Sequence, residues 1–348
     1  MKATRNIRRM AAKAQASRVR FRPHFKTHNS VAVGEWFRQE GVSQITASSV
    51  EMATHFADNG WQDITIAFPV SPREFDRVFE LARRIHLEVL VDSIESARLL
   101  VATGGECSVW IEVDVGYHRT GVPFDETDAL VQLCLVLAEG APRILLRGLL
   151  THAGHSYQAE STEEIRHLYR DSVSKMSIAR EALSRSGRPD LEISVGDTPT
   201  CSIVERFDGV DEIRPGNFVF YDLQQLRLGA CTEDDLALAV ACPIVGNYPR
   251  REEVVMHGGA VHLSRDFTTA PDGTTVFGRL AFPDAVAWRV LPAETYVASI
   301  SQEHGVIRGE IDVLARLRVG ELALVLPAHA CLAANALRNY VTLDGHLL

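Results

Sequence analysis

Val19-Arg-Phe-Arg-Pro-His-Phe-Lys-Thr-His28 is a short extended segment, Val19 to Arg22, cut off by a proline, with Lys26 just past the cut. Pro23 has no backbone N–H for an inner ladder and cannot open a regular helix here, so Lys26 falls on a loop where a strand has just ended. A lysine in that position, between His24 and His28, can become a covalent cofactor anchor. Neighbouring positive charge and partial burial both lower an amine's pKa toward what attack on an aldehyde near neutral pH requires. The run from Arg22 to His28 reads equally as a basic surface turn, so the rest of the chain has to decide.

Upstream, Thr4 to Gln15 carries Ile7, Met10, Ala11 and Ala14 at helical spacing. Downstream, apolar extended segments recur at Gln44–Ser48, Asp63–Phe68, Leu87–Asp92, Val109–Gly116, Arg147–Ala153, Glu192–Gly196 and Glu212–Tyr221. Helical stretches lie between them, opened by caps at Asn29 or Ser30, Ser71 before Pro72, Ser93 with Ser96, and Ser161 with Glu164. Gly41, Gly60, Gly140 and Gly187 stand where a left-handed residue closes a helix. Eight strands with seven intervening helices predict an α/β fold of the (β/α)8 TIM-type barrel kind over residues 1–230. A doubly wound open sheet shares this periodicity. From 231 to 348 the texture changes to short Val- and Ala-rich segments, Leu236–Val245, Glu253–His257, Thr295–Ile300 and Glu321–Leu326, which predicts a mostly antiparallel β domain.

Barrel enzymes gather their chemistry at the C-terminal ends of the strands. Lys26 follows strand one, Tyr117 to Arg119 strand five, His152 to Tyr157 strand six, and Asp197 to Thr200 strand seven; Gly216 and Asn217 lie in the eighth extended stretch. Polar loops alone produce some of this overlap. A net charge of -9 excludes general nucleic-acid binding and favours a small ligand. No apolar run reaches a membrane span, and the Arg-rich start lacks a secretory core, so the cytoplasm is the default location. The six cysteines form no CxxC and read as reduced thiols.

Eight pieces in order then resemble the D-serine dehydratase and D-threonine aldolase family of pyridoxal-phosphate enzymes, whose barrel is alanine racemase-like (fold type III). They are Arg22-Pro-His-Phe-Lys-Thr-His28, Glu112-Val-Asp-Val-Gly-Tyr-His-Arg-Thr-Gly121, His152-Ala-Gly-His-Ser-Tyr157, Val195-Gly-Asp-Thr-Pro-Thr200, Arg214-Pro-Gly-Asn-Phe-Val-Phe-Tyr-Asp222, Gly258-Gly-Ala-Val-His-Leu-Ser264, Ser301-Gln-Glu-His-Gly305 and Pro327-Ala-His-Ala-Cys331. The resemblance implies pyridoxal 5'-phosphate as cofactor, a D-amino acid as substrate, and a homodimer. It implies Lys26 as cofactor anchor and base at the α-carbon. Thr198, Thr200, Gly216 and Asn217 are implied around the phosphate, Arg119 beside the ring and its phenolic oxygen, and Tyr157 against the ring. Taken alone, Arg119 reads as a surface ion pair and Tyr157 as a half-buried aromatic.

His329 and Cys331 stand two apart after Leu322–Leu326 and Pro327, and an extended backbone would send both side chains to one side, where an imidazole and a thiolate can grip one ion. A buried structural cysteine is the plain alternative. The resemblance makes the pair a metal site, for zinc or another divalent ion, with open positions for substrate oxygens. It implies a lyase that dehydrates a D-β-hydroxy amino acid to a 2-oxo acid and ammonia. The alternatives are retro-aldol cleavage to glycine and an aldehyde, or a non-catalytic cofactor-binding protein. Racemisation needs a second base that no residue here identifies. Three departures stand out: the chain begins almost at the first helix, where relatives commonly carry an extended segment that pairs in the β domain. Asn29 replaces a common lysine. Asp197 puts a carboxylate beside the expected phosphate, which is unfavourable unless it points away or is paired.

Overall fold

The computed structural model describes residues 1–284 and 287–348. The chain divides into two compact units: one of Ile7–Lys26 and Gly34–Gly216, the other of Met1–Asn6, Thr27–Val33 and Asn217–Leu348. No helix among the described residues is long and apolar enough to cross a membrane.

The first unit holds strands β1 (Arg20–Phe21), β2 (Ile45–Ala47), β3 (Asp63–Pro69), β4 (His86–Val91), β5 (Cys107–Asp114), β6 (Ile144–Leu150), β7 (Glu192–Val195) and β8 (Glu212–Ile213). All pair in parallel, in the order β1-β8-β7-β6-β5-β4-β3-β2. A parallel bridge between His24 and Thr46 joins the two ends of that order, with the Thr46 amide donating to the Pro23 carbonyl at 2.9 Å. The ring is closed, so the open-sheet alternative falls. Strands covered on both faces are continuously apolar, as in Val89–Val91 and Val109–Ile111.

Helix α1 (Lys2–Ser17) precedes the ring, and α2 (Val31–Gln39), α3 (Val50–Asp58), α4 (Phe75–Ala82), α5 (Ile94–Thr103), α6 (Thr127–Glu139), α7 (Thr162–Arg185) and α8 (Thr198–Ile203) alternate with its strands. The expected serine caps are made. Ser93 accepts from the Ser96 amide at 3.2 Å, Ser161 from Glu164 at 3.1 Å, and Ser30 rather than Asn29 accepts from Val33 at 3.3 Å. Gly41, Gly60 and Gly187 have the left-handed φ expected, but Gly140 does not, at φ -82°. Its lack of a side chain serves packing instead, since a Cβ there would sit 2.7 Å from Ile144 Cγ1. The eighth extended stretch also shrinks. Strand β8 ends at Ile213 and Asn217–Val219 forms a 3-10 turn, so Gly216 and Asn217 lie beyond the strand; Pro215 offers no N–H to carry the ladder on.

The inside of the ring is charged where the strands begin. Arg22, 2% exposed, donates to Glu212 at 2.8 Å, pairs with Asp63, and stands 3.6 Å from Glu88. Trp110 Nε1 donates to Glu88 at 2.7 Å, as does the Thr65 hydroxyl. Burial alone would raise the Glu88 pKa, but His86, Arg22, Thr65 and Trp110 together hold it down at about 2.

In the second unit, β9 (Val240–Tyr248), β10 (Glu253–His257), β11 (Gly278–Pro283), β12 (Trp288–Val290), β13 (Tyr296–Ile300), β14 (His304–Arg308) and β15 (Leu322–Pro327) pair antiparallel in the order β12-β11-β13-β14-β10-β9-β15. A further β11–β15 pairing closes six of them into a barrel and leaves β12 at an edge. Alternate residues of β9, Val240, Cys242 and Ile244, point into a core with Val254, Met256, Leu280, Val297, Ile307 and Val325. Helices α9 (Leu223–Arg227) and α10 (Ala330–Leu337) belong to this unit.

Candidate functional site

In the first unit Lys26 sits in the 3-10 turn Phe25–Thr27. Phe25 anchors the turn, fully buried, with its ring 5.0 Å from those of Phe37, Phe56 and Trp61. The Lys26 amide donates to His24 Nδ1 at 3.3 Å, and the His24 amide donates to the Pro215 carbonyl at 2.9 Å. The backbone is therefore fixed while the lysine side chain is exposed. The sequence reading gave this amine partial burial and a charged histidine on either side. The side chain is not buried, and desolvation pushes the His28 imidazole down to about 3, so that ring is neutral near pH 7.

His152, beyond β6, is where the rim charges converge. Its Nδ1 faces the Gly196 carbonyl at 2.6 Å, and a carbonyl can only accept, so Nδ1 carries the hydrogen and Nε2 the lone pair. Burial, then the positive charges of Lys26, Arg119 and Arg214, push its pKa down to about 3. Lys26 and Arg119 are thus brought to one imidazole. The Arg119 side chain is exposed and lies 5.2 Å over the Tyr117 ring, which meets His152 edge-on at 5.9 Å. Gly154 makes room for Tyr117, since a Cβ there would come within 2.4 Å of that ring.

The Tyr157 hydroxyl accepts from the Thr198 amide at 3.3 Å, and the buried Thr198 hydroxyl has no partner. Thr200 is differently placed: its amide and hydroxyl both donate to Asp197, at 2.8 and 2.7 Å. Asp197 caps α8 and also accepts from Ser156 at 2.8 Å. Both of its oxygens are engaged by donors, which answers the concern its charge raised, and burial raises its pKa. Arg214 is buried, donating to the Ser194 hydroxyl at 2.7 Å and to the Thr151 carbonyl. Desolvation lowers its pKa to about 10, which leaves it charged near neutral pH. Glu112, raised chiefly by burial, keeps one carboxylate oxygen without a partner. Sequence reasoning gave no role to His152, Arg214 or Glu112, although each lies inside a quoted motif. A charged residue within an otherwise apolar strand was the available signal for Glu112.

In the second unit, His329 is the cap residue of α10 at φ -131° and ψ 116°, and Cys331 lies in its first turn. The pair does come together, but at a helix start and not along the extended backbone expected. His329 Nδ1 is 3.1 Å from Asp222 Oδ2, which also accepts from the Ala330 amide at 2.9 Å and from Asn217 Nδ2 at 2.6 Å. Asn217 Nδ2 reaches Cys331 Sγ at 3.5 Å, and the Thr27 hydroxyl meets it at 3.3 Å. Burial opposes charge on both members of the pair, yet the bonds to Asp222 and Cys331 raise the His329 pKa, and those to His329 and Thr27 lower the Cys331 thiol. An imidazole nitrogen and a sulfur so arranged are donors of the kind that could hold a divalent ion. Asn217, expected near a phosphate, turns its side chain to this centre. Thr27 and Asp222 were not singled out, though they flank Lys26 and close the Arg214–Asp222 motif.

His257, His262 and Glu303 also bring ligand atoms within 4.8 Å of one another. The Nδ1 of His262 accepts from the Gly259 amide at 3.3 Å, which leaves the proton of the neutral ring on Nε2 and no free lone pair.

Residues 2–224 match the family profile described as "Alanine racemase, N-terminal domain", and residues 237–343 that described as "Putative serine dehydratase domain". The chain is 35% identical to a D-threo-3-hydroxyaspartate dehydratase of Delftia sp. (strain HT23), over 98% of this chain and 92% of that one. It is 28% identical to a D-serine dehydratase of Dictyostelium discoideum, over 98% and 90%. A D-threonine aldolase of Arthrobacter sp is 27% identical over 93% and 82%. The solved Delftia enzyme superposes with a TM-score of 0.91 at 33% identity, covering 100% of this chain and 93% of that one. Solved D-threo-3-hydroxyaspartate dehydratases, each 33% identical to this chain, include a histidine-to-alanine variant and a cysteine-to-alanine variant in a metal-free form, the two positions being two residues apart.

Proposed function

The chain belongs to the D-serine dehydratase and D-threonine aldolase family, pyridoxal-phosphate lyases with an alanine racemase-like fold, and on that premise we propose that it dehydrates D-β-hydroxy amino acids to 2-oxo acids and ammonia. In this reading residues 1–230 carry the cofactor and residues 231–348 a divalent ion, zinc in the first instance. The observation that carries it is the His329–Cys331 pair, backed by Asp222, in a chain aligned nearly end to end with a dehydratase. The metal-free cysteine variant of a D-threo-3-hydroxyaspartate dehydratase, two residues from the histidine variant, supports reading the pair as ligands.

The residues fit both groups. Thr198 offers a buried, unpartnered hydroxyl for a phosphate, next to Tyr157. Gly216 allows close approach, and Thr200 buttresses the same turn through Asp197. The cofactor supplies an electron sink for the α-carbon, and the ion supplies Lewis acidity for a departing hydroxide. Lys26 Nζ anchors the cofactor and then takes the α-proton as base. Arg119 holds a fixed positive charge on the same rim. His152, neutral with Nδ1–H bound to Gly196, presents an acceptor that takes no proton near pH 7. The Thr27 hydroxyl meets the Cys331 thiol at 3.3 Å, a further polar contact of the pair.

Retro-aldol cleavage is the second reading, favoured by the D-threonine aldolase that aligns over 93% of this chain. Zinc-loaded holoenzyme incubated with D-serine, D-threonine and D-threo-3-hydroxyaspartate separates the two. Ammonia with a 2-oxo acid is the expected product; glycine with an aldehyde replaces the dehydratase by the aldolase. Silence across the panel leaves a cofactor carrier. Cys331→Ala is expected to keep the visible absorbance of the bound cofactor and to lose most turnover, and full activity after thorough chelation would remove the metal from the reaction.

A further inference from the structure

We propose that Asp222 is the positioning residue of the metal centre: its carboxylate fixes His329 as the Nδ1–H tautomer and thereby makes Nε2 the atom offered to a divalent ion. The inference rests on the reading of His329 and Cys331 as ligands. Asp222 Oδ2 is the acceptor of two other N–H groups, so the ring nitrogen 3.1 Å from it is assigned as a third donor. A neutral imidazole has a single lone pair, and fixing the hydrogen on Nδ1 leaves it on Nε2.

The carboxylate is itself held. Its side chain is fully buried, and Oδ2 accepts from Asn217 Nδ2 at 2.6 Å and from the Ala330 amide at 2.9 Å. Oδ1 accepts from the Gln225 amide at 3.0 Å, capping α9. One side chain therefore ties the start of α9 to the start of α10, where both ligands sit. Asn217 completes the arrangement by donating to Asp222 and reaching Cys331 Sγ at 3.5 Å, while Thr27 meets the sulfur at 3.3 Å. Ligand orientation by an outer carboxylate commonly governs metal affinity by about 10–100-fold. A residue serving only as a helix cap would change stability and leave that affinity alone.

The test titrates zinc, against a competing chelator, into chelator-stripped protein that retains its pyridoxal phosphate. Wild type, Asp222→Asn and Cys331→Ala are compared, with cofactor absorbance recorded alongside. The expected result is one ion per chain in wild type, none in Cys331→Ala, and an affinity about 10–100-fold weaker in Asp222→Asn with cofactor absorbance unchanged. Cobalt substitution gives a second reading, in which the thiolate-to-cobalt absorbance of Asp222→Asn saturates only at correspondingly higher cobalt. Wild-type affinity in Asp222→Asn overturns the proposal, even where its melting temperature falls. Zinc retained by Cys331→Ala, or no ion bound by wild type, removes the metal reading and this inference with it. Should Asp222→Asn fail to fold, Asp222→Ser keeps a cap acceptor for the Gln225 amide without the carboxylate and decides the same question.

Discussion

Arg22 and Lys26 lie four residues apart, both cationic, yet the barrel treats them in opposite ways. Arg22 points among Asp63, Glu88 and Glu212, residues at or near the starts of β3, β4 and β8, and is 2% exposed. Lys26 is exposed on a rim where the Thr198 hydroxyl and one Glu112 oxygen stand without partners. Buried polar groups are normally satisfied, so the charge cluster around Arg22 reads as structural, and the two unpartnered groups on the rim leave capacity for a ligand. The lesson is that charge alone does not mark a functional site; what surrounds the charge has to be read with it.

The sharpest break of this comparison is Lys26→Ala. It should abolish the absorbance of the lysine-bound cofactor and cut turnover by at least about 10²–10⁴-fold, the range for losing a general base. The unfolding free energy of the metal- and cofactor-free protein, read by urea titration, should stay within about 0.5 kcal/mol of wild type, as for exposed positions generally. Persistent cofactor absorbance and a borohydride-fixed adduct elsewhere would end the anchor assignment.

Arg22→Met should do the reverse, costing up to about 3–5 kcal/mol because Glu212 and Glu88 lose the fully buried one of their cations and keep only Arg20 at 3.3 Å and Arg147 at 3.5 Å. Urea unfolding reads the loss, and the folded fraction should still bind cofactor. Acid sharpens the same contrast. The Glu88 pKa is depressed from 4.5 to about 2, so its contribution is fully present above about 4.5 and is lost as pH falls toward 2. That loss is on the order of 3 kcal/mol. Glu88→Gln should flatten the acid limb of a stability-versus-pH curve, and an unchanged limb would mean that other carboxylates carry it. Smallest of the four, Gly154→Ala should cost about 1–3 kcal/mol by overpacking against Tyr117. It should alter cofactor absorbance as well, which the Arg22 and Glu88 changes should not.

The barrel was legible because strand and helix periods alternate with clean caps, as at Ser93 and Ser161, and because the prolines mark where strands stop. Pro23 was read as a strand end and Pro215 was not, which is why the eighth strand was drawn too long. Closure needed the structure: a single bridge from His24 to Thr46 leaves no periodic trace. The β domain was partly legible. β10 was expected at its observed bounds, whereas β11, β12 and β14 were not read as strands, their apolar pattern being broken by Arg279, Arg289 and His304. At the site, residue types and their place on strand ends were readable, but partners were not. That Asn217 turns to Cys331 and that His28 is neutral depend on neighbours distant in sequence or on burial, whereas Thr200 turning to Asp197 is a local cap three residues long.

The bridge that closes the ring, one residue pair backed by the Thr46 hydroxyl donating to the Arg22 carbonyl at 2.8 Å, lies immediately before the lysine turn. Elsewhere adjacent strands share longer ladders, such as the six residue pairs between β5 and β6. The circle therefore has a thin seam, and opening is least costly where the fewest bonds must break together. Local breathing of the scaffold should then be concentrated beside Lys26. Amide deuteration faster at Thr46 than at Val109 would be its signature.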